Sequence, residues 1–243
     1  MAVNESSARL WHRLGLGPLW RERAMLSSPV LVKESRPPPT QLDWEGLERA
    51  VAACTACSLC QSRTQTVFGT GSHGAGWMFI GEAPGAEEDA RGEPFVGQAG
   101  RLLDNMLAAV GLGRDRPGEQ AVFIANVLKC RPPGNRNPDA AEVAACVPFL
   151  RRQIALLHPR LIVVLGRFAA QAMLASDASI ASLRGRVHQV AVGTECYPVI
   201  VTYHPAYLLR NLADKSKVWD DLCLARKTYS RLTTDCATRP SDA

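Results

Sequence analysis

The sequence lacks the features that mark a membrane or secreted protein. No apolar run approaches the ~20 residues that a membrane-spanning helix needs. The first residues, Met1 to Glu5, do not show the basic and then apolar pattern of a secretory signal. We therefore expect a cytoplasmic protein with no membrane partner.

The sequence also lacks a strong excess of either charge and has only a small surplus of positive charge. The 28 basic and 23 acidic residues leave a net charge of +5. This charge permits a polyanionic partner but does not require one, because many proteins of similar charge bind small molecules. Charge alone therefore does not choose between a nucleic acid and a small substrate.

The length of 243 residues suits one sizeable core with tails. The run from Glu34 to Thr40 contains three consecutive prolines and predicts an extended linker. It follows an amphipathic piece that extends from Leu10 to Arg23. We predict an N-terminal extension and Pro-rich linker at 1–40, one main domain at 41–232 and a loose C-terminal tail at 233–243.

Four short apolar runs without alternation are typical of strands that are covered on both faces. They lie at 77–80, 122–127, 161–165 and 199–202. Helical patterns separate them at 99–110, from 137 onward and at 167–174, and a last one follows at 215–232. This alternation predicts an α/β fold with three layers, α/β/α, around a central four-stranded parallel sheet.

Polar residues follow three of these predicted strands. Gly81 to Gly85 is a Gly/Pro loop that carries Glu82, His204 follows the fourth strand, and Asn126 interrupts the apolar second strand near its end. Ligands of open parallel sheets bind at the carboxyl ends of the strands. Two loops at this edge, one with a carboxylate and one with an imidazole, predict a hydrolytic site.

Eight cysteines in a reducing compartment favour a metal site or buried thiols over disulfides. Cys54 and Cys57 form a CxxC pair, and Cys130 and Cys146 lie farther along the chain. Four thiolates can hold either Zn²⁺ or an iron–sulfur cluster, and the spacing does not choose between them. Cys60 could replace one of the distant ligands, and the alternative is that all are small buried apolar residues. The remaining cysteines are expected to be inert: Cys196, Cys223 and Cys236.

Four motifs in a fixed order carry a resemblance to a known family. They are Gly81-Glu82-Ala83-Pro84-Gly85, Gly92-Glu93-Pro94-Phe95-Val96-Gly97, Asn126-Val127-Leu128-Lys129-Cys130-Arg131-Pro132-Pro133, and His204-Pro205-Ala206-Tyr207-Leu208-Leu209-Arg210. Together with the CxxC pair, they resemble the family 4, or iron–sulfur, uracil-DNA glycosylases over about residues 45–226. The resemblance implies a monofunctional hydrolase that cleaves the N-glycosidic bond of deoxyuridine in single- and double-stranded DNA, in base excision repair.

The resemblance also implies roles for particular residues. A [4Fe–4S] cluster would be held by Cys54, Cys57, Cys130 and Cys146, which leaves Cys60 as an extra thiol. Phe95 would stack on uracil, Asn126 would read its edge, and His204 would donate a hydrogen bond to the departing base. The backbone of the loop at Gly81 and Ala83 would approach the base. Ala83 stands where many relatives carry a water-positioning aspartate, so Glu82 and Asn135 are the candidates for that task, with the choice between them open.

DNA contacts are expected at loops of the same sheet edge. The expected residues are Lys129, Arg131, Arg136 and Arg210, with Leu208 and Leu209 as an apolar wedge. We expect a monomer, with the N-terminal extension as a candidate contact for a protein partner.

Two other functions compete with this one. One is a related glycosylase with altered base preference or with covalent trapping of the base, although the chain lacks the extra basic loop of the covalent branch. The other is a non-catalytic iron–sulfur module that binds DNA in replication. The presence of Phe95, Asn126 and His204 favours an active enzyme.

Overall fold

A six-stranded sheet forms the centre of the computed structural model, which describes residues 13–15 and 38–237. The strands are β1 Thr70–Gly71, β2 Trp77–Gly81, β3 Val122–Asn126, β4 Leu161–Leu165, β5 Val187–Val192 and β6 Glu195–Thr202. Their order in the sheet is β1-β3-β2-β4-β6-β5. The amphipathic piece predicted between Leu10 and Arg23 lies mostly outside the described residues.

The predicted parallel sheet is confirmed as the four inner strands, β3-β2-β4-β6, which pair in parallel. The short strand β1 pairs with β3 and β5 pairs with β6, both antiparallel. The sequence pattern did not predict these two edge strands, because β1 has only two residues and half of the residues of β5 are exposed. An edge strand in contact with solvent does not need the continuous apolar run of a buried one.

Helices cover both faces of the sheet. They are α1 Trp44–Ala52, α2 Ala86–Arg91, α3 Gln98–Ala109, α4 Ala140–Leu157, α5 Arg167–Leu174, α6 Ile180–Leu183, α7 Pro205–Leu208 and α8 Lys215–Ala237. Helix α8 continues past residue 232, so the predicted start of the C-terminal tail falls inside a helix. Residues 238–243 lie outside the described part of the chain.

Caps explain where two of the helices begin. The Asp43 side chain accepts a hydrogen bond from the Gly46 amide at 2.8 Å and starts α1. At the start of α4, Glu142 accepts from the amide of Asp139 at 2.9 Å. Each of these two helices therefore begins directly after a polar capping residue, as the sequence predicts for α4.

Two apolar cores lie on opposite faces of the sheet, which makes the three-layer architecture. On one face, β-strand residues pack with Leu150 and Ile154 of α4 and with α5. On the other face they pack with Leu103 of α3 and with Leu222 of α8. A third, smaller cluster joins α1 and α4 beside Cys130 and Cys146.

Grouping of residues by their contacts divides the chain between Arg36 and Pro37, inside the predicted linker.

None of the helices in residues 13–15 and 38–237 combines the length and apolar character of a membrane span.

Candidate active site

An open pocket of about 520 Å³ lies at the carboxyl ends of β2, β3 and β6. The chain crosses here from β3, on one side of β2, to β4 on the other, which is where open α/β sheets place their ligands. The lining includes Glu82, Ala83, Gly85, Glu88, Phe95, Asn126, Asn135, Arg136, Phe168, His204, Tyr207 and Arg210. The structure thus brings the predicted catalytic residues to one pocket, together with the predicted substrate-binding residues Ala83, Phe95 and Asn126. Gly81 does not line the pocket but lies behind the side chains of Asn126 and Phe95.

Phe95 forms one side of the pocket and stacks with His204, with ring centroids 5.4 Å apart and planes 28° from parallel. Its backbone adopts a left-handed conformation with φ of 56°, which an aromatic residue rarely adopts. Arg114 fixes this turn by donating to the carbonyls of Pro94 at 2.8 Å and Phe95 at 2.7 Å. Gly100 leaves room for it, because a Cβ there would lie 1.8 Å from the Phe95 oxygen.

Asn126 ends β3 with a side chain that is only 2 % exposed. Its Oδ1 is one of two buried side-chain polar atoms in the described residues without a hydrogen-bond partner. Gly81 of β2 lies opposite, and a Cβ there would meet that Oδ1 at 2.4 Å and the Phe95 ring at 2.6 Å. A glycine is therefore required behind the Asn126 amide, and the unpaired acceptor indicates a ligand that donates a hydrogen bond.

His204 precedes α7, and its Nδ1 accepts a hydrogen bond from the Ala206 amide at 3.2 Å. Burial lowers the pKa of His204 to about 4, a shift that Glu88 opposes and Arg210 reinforces. The imidazole is therefore neutral near pH 7. Since Nδ1 is the acceptor, the proton resides on Nε2, which is free to donate.

Two carboxylates of the pocket have different tasks. Burial raises the pKa of Glu82, and the nearby Arg167 partly offsets this. Glu88 instead accepts from the amides of Gly85, Val96 and Gly97 at 3.0 to 3.1 Å. It ties the loop after β2 to the loop that carries Phe95.

The sequence analysis missed Glu88 as a site residue, and it also missed Arg167 and Phe168. The guanidinium of Arg167 lies 4.7 Å from the centre of the Phe168 ring, at the start of α5. The position of Arg167 and Phe168 just after β4, the fourth strand that ends at this edge, was the sequence signal that could have identified them.

The rim of the pocket is basic. Arg131 donates to Asn135 Oδ1 at 2.8 Å, and Asn135 is exposed with φ of 54°. Arg136 is held by Glu142 at 2.6 Å and by Asp139 at 3.3 Å. Arg210 is exposed. Asn135 thus lies at the mouth of the pocket, farther toward solvent than Asn126.

Two predicted DNA contacts are wrong. Lys129 is only 1 % exposed and its Nζ is bonded inside the protein, so it does not reach a phosphate. Leu208 is also 1 % exposed and belongs to the core between β6 and α8. The next residue, Leu209, is 41 % exposed. A helical turn directs one of two adjacent leucines inward, and sequence alone did not show which.

The predicted ligand cysteines line one small cavity. Its lining contains Cys54, Cys57, Cys60, Cys130 and Cys146, together with Arg63 and Lys129. Burial raises the pKa of Cys130 and raises that of Cys146 to about 11. Arg63 donates to Cys130 Sγ at 3.1 Å. Within the described residues, no group of three or more His, Cys, Asp or Glu side chains could hold a metal ion as placed.

Comparison with known proteins agrees with this geometry. The family model of the Uracil DNA glycosylase superfamily matches residues 68–223. A type-4 uracil-DNA glycosylase of Archaeoglobus fulgidus is 43 % identical over 169 residues, which are 68 % of this chain and 82 % of that protein. The type-4 enzyme of Pyrobaculum aerophilum is 39 % identical over 187 residues, or 75 % and 93 % of the two chains. That of Thermotoga maritima is 42 % identical over 172 residues, or 70 % and 85 %.

Proposed function

Because the chain belongs to the uracil-DNA glycosylase superfamily and within it to the type-4 family, we propose that its pocket at the sheet edge removes uracil from DNA. It hydrolyses the N-glycosidic bond of deoxyuridine as a DNA repair enzyme. The observation that carries the proposal is the buried, unpartnered Oδ1 of Asn126 beside the stacked rings of Phe95 and His204. A flipped uracil offers both an aromatic face and a polar edge that such a pocket can read.

Recognition of the base is assigned to Phe95 and Asn126. The ring of Phe95 provides a flat apolar wall for the pyrimidine. The Asn126 amide can accept from N3–H of uracil and donate to O4, whereas cytosine presents the opposite pattern. The absence of a side chain at Gly81 leaves room for the Asn126 amide and the Phe95 ring behind the base.

Departure of the base is assigned to His204. The leaving uracil develops negative charge on O2, and a neutral imidazole with its proton on Nε2 can donate to it. A donor fixed before reaction stabilises charge where it appears without reorganisation. The bond from the Ala206 amide supports this tautomer.

Water attack on the oxocarbenium-like sugar is assigned to Glu82, which is part-buried on the pocket wall. Its carboxylate can orient the water and stabilise the positive sugar. Asn135 is the second candidate, at the mouth of the pocket. No lysine amine lines this pocket among the described residues, which supports a monofunctional enzyme that uses water.

DNA binding is assigned to the basic rim and one apolar side chain. Arg131, Arg136 and Arg210 would contact phosphates, in single- and double-stranded DNA. Leu209 replaces Leu208 as the wedge that fills the gap left by the flipped base, because only Leu209 is exposed.

A [4Fe–4S] cluster held by Cys54, Cys57, Cys130 and Cys146 is part of the proposal. The residues fit such a group by their chemistry: all four thiols line one cavity, and the Arg63 guanidinium donates to Cys130 Sγ. Four thiolates are the ligand set of a [4Fe–4S] cluster and also of a structural zinc ion, and metal analysis distinguishes the two. The cluster, when bound, would fasten α1, the loop before α4 and α4 itself together.

The test of the cluster is metal analysis of anaerobically purified protein. We expect a brown protein with about four irons per chain. Cys60→Ala should retain the cluster, and Cys146→Ala should lose it. A colourless zinc protein, or loss of iron on removal of Cys60, would contradict the assignment.

The test of the activity is excision from oligonucleotides that carry uracil opposite adenine, opposite guanine or in a single strand. Alkali should cleave each product at the abasic site. A folded protein that leaves all three substrates intact would show that the pocket is not catalytically active.

We further propose a cytoplasmic monomer whose N-terminal extension can contact a protein partner.

A further inference from the structure

Lys129 is a buried lysine that has no carboxylate partner among residues 13–15 and 38–237. Its side chain is almost fully enclosed, and its Nζ donates to the backbone oxygen of Asn126 at 2.8 Å and to Gln153 Oε1 at 2.6 Å. Cys130 follows Lys129 directly in the chain, and Lys129, Cys130 and Cys146 line the same cavity. Neutral acceptors alone do not offset the loss of hydration of a buried ammonium.

A cluster held by four thiolates would supply the missing counter-charge. Lys129 lines the cysteine cavity, and its backbone amide donates to Cys146 Sγ at 3.2 Å. Arg63 lines the same cavity from another side. Two cations beside a cluster of net negative charge form a compensated group, as buried charges require.

The side-chain end of Lys129 contacts the backbone of a residue that lines the uracil pocket. The oxygen that accepts from Nζ belongs to Asn126, whose side chain carries the unpartnered Oδ1. Gln153 anchors the ammonium to α4 and donates in turn to the Phe68 carbonyl at 3.0 Å. One side chain therefore connects the cysteine cavity, α4 and the backbone of the base-reading residue.

We propose that Lys129 is a positioning residue: it takes the anionic cluster as its counter-ion and holds Asn126 in place for uracil. The inference rests on the proposed function, because it assumes the cluster and the role of Asn126. It gives the cluster an effect on base recognition although the cluster takes no part in the chemistry. It also explains a lysine in this loop without a DNA contact.

The first test compares Lys129→Met with Lys227→Met, which removes an exposed lysine of α8. Single-turnover excision by Lys129→Met should fall about ten- to a hundred-fold in maximal rate, the effect of losing a hydrogen bond to a charged group. The half-saturating DNA concentration should stay near that of the wild type, and discrimination against cytosine should weaken. In DNA-free protein, a chelator should bleach the cluster faster than in Lys227→Met. Wild-type rate and wild-type bleaching together would overturn the proposal.

The second test, Gln153→Glu, decides the matter if Lys129→Met does not fold. A carboxylate at this position gives Lys129 a counter-ion within the protein. Removal of iron should then lower Tm by roughly half as much as in the wild type, or less. An equal loss of Tm in both proteins would overturn the counter-ion role. Because this measurement needs no excision, it remains decisive even if the wild type proves inactive on uracil.

Discussion

At the scale of single residues, the amide of Asn126 determines which base the pocket accepts. Asn126→Asp keeps an acceptor but removes the donor for O4, so uracil excision should fall by up to about 10⁴-fold. Single-turnover rates on uracil and cytosine substrates measure this. Asn105→Asp, an exposed change on α3, is the control and should behave as wild type. Near wild-type excision by Asn126→Asp would remove Asn126 as the reader.

Glu82 and His204 together predict a pH profile. Burial raises the pKa of Glu82, so its carboxylate form, and with it the rate, should increase as pH rises through that pKa. Because the pKa of His204 is about 4, its neutral form is present throughout this range and is lost only in stronger acid. Glu82→Gln should therefore flatten the acid side of the profile, whereas His204→Gln should keep it.

The same pair predicts an order of importance. Loss of the His204 donor should lower the maximal rate about 10²–10³-fold, and Glu82→Gln should cost less, because water attacks an oxocarbenium ion readily. Folding and DNA affinity are measured separately. A greater loss for Glu82→Gln would mean that stabilisation of the positive sugar carries most of the rate.

At the scale of secondary-structure elements, the end of β2 must lie against the pocket without a side chain. Gly81→Ala would place a Cβ within 2.6 Å of both Asn126 and Phe95, so the pocket must distort. The rate of excision should fall about tenfold or more, because overpacking of this kind costs about 1–3 kcal/mol. Gly74→Ala, whose added Cβ has only Ser72 nearby at 3.9 Å, is the matched control. Equal activity of the two variants would show that the wall is softer than the structure indicates.

Helix α7 and the residue after it divide two leucines between core and surface. Leu209→Ala should lower excision from double-stranded DNA about tenfold, with a smaller effect on single strands, because no base pair must be opened there. Leu208→Ala should instead destabilise the fold by about 2–5 kcal/mol, as a buried leucine truncation does. Denaturant unfolding and excision assays separate these outcomes. The reverse pattern would restore Leu208 as the wedge.

At the scale of the whole molecule, the chain divides between Arg36 and Pro37, and all residues assigned to the pocket and to the cysteine cavity follow this point. A chain that begins at Pro37 should fold, hold iron and excise uracil at the rate of the full chain. Circular dichroism, iron content and single-turnover kinetics measure this. A folded, iron-containing but inactive shortened chain would place part of the site in the extension.

Local sequence determined the inner strands, the principal helices and the pocket residues Asn126 and His204, whereas Phe95 was identified only by its family motif. Each of these rests on a short-range signal: a buried strand is a continuous apolar run, and a polar residue at its end faces the sheet edge where ligands bind. The four motifs added the type-4 family, which the matches to known proteins confirm.

Only the tertiary structure decided which way the ambiguous side chains face. Lys129 and Leu208 lie in the motifs of the DNA-facing loops but point into the protein, because α4, β6 and α8 close over them. Glu88 and Gln153 are not marked by their local sequence, since Glu88 joins its own loop to the amides of Val96 and Gly97 and both partners of Gln153 lie more than twenty residues away. Contacts between distant segments depend on how the layers pack. The burial of a side chain and the charges around it are therefore set by the folded structure, and no single stretch of sequence contains them.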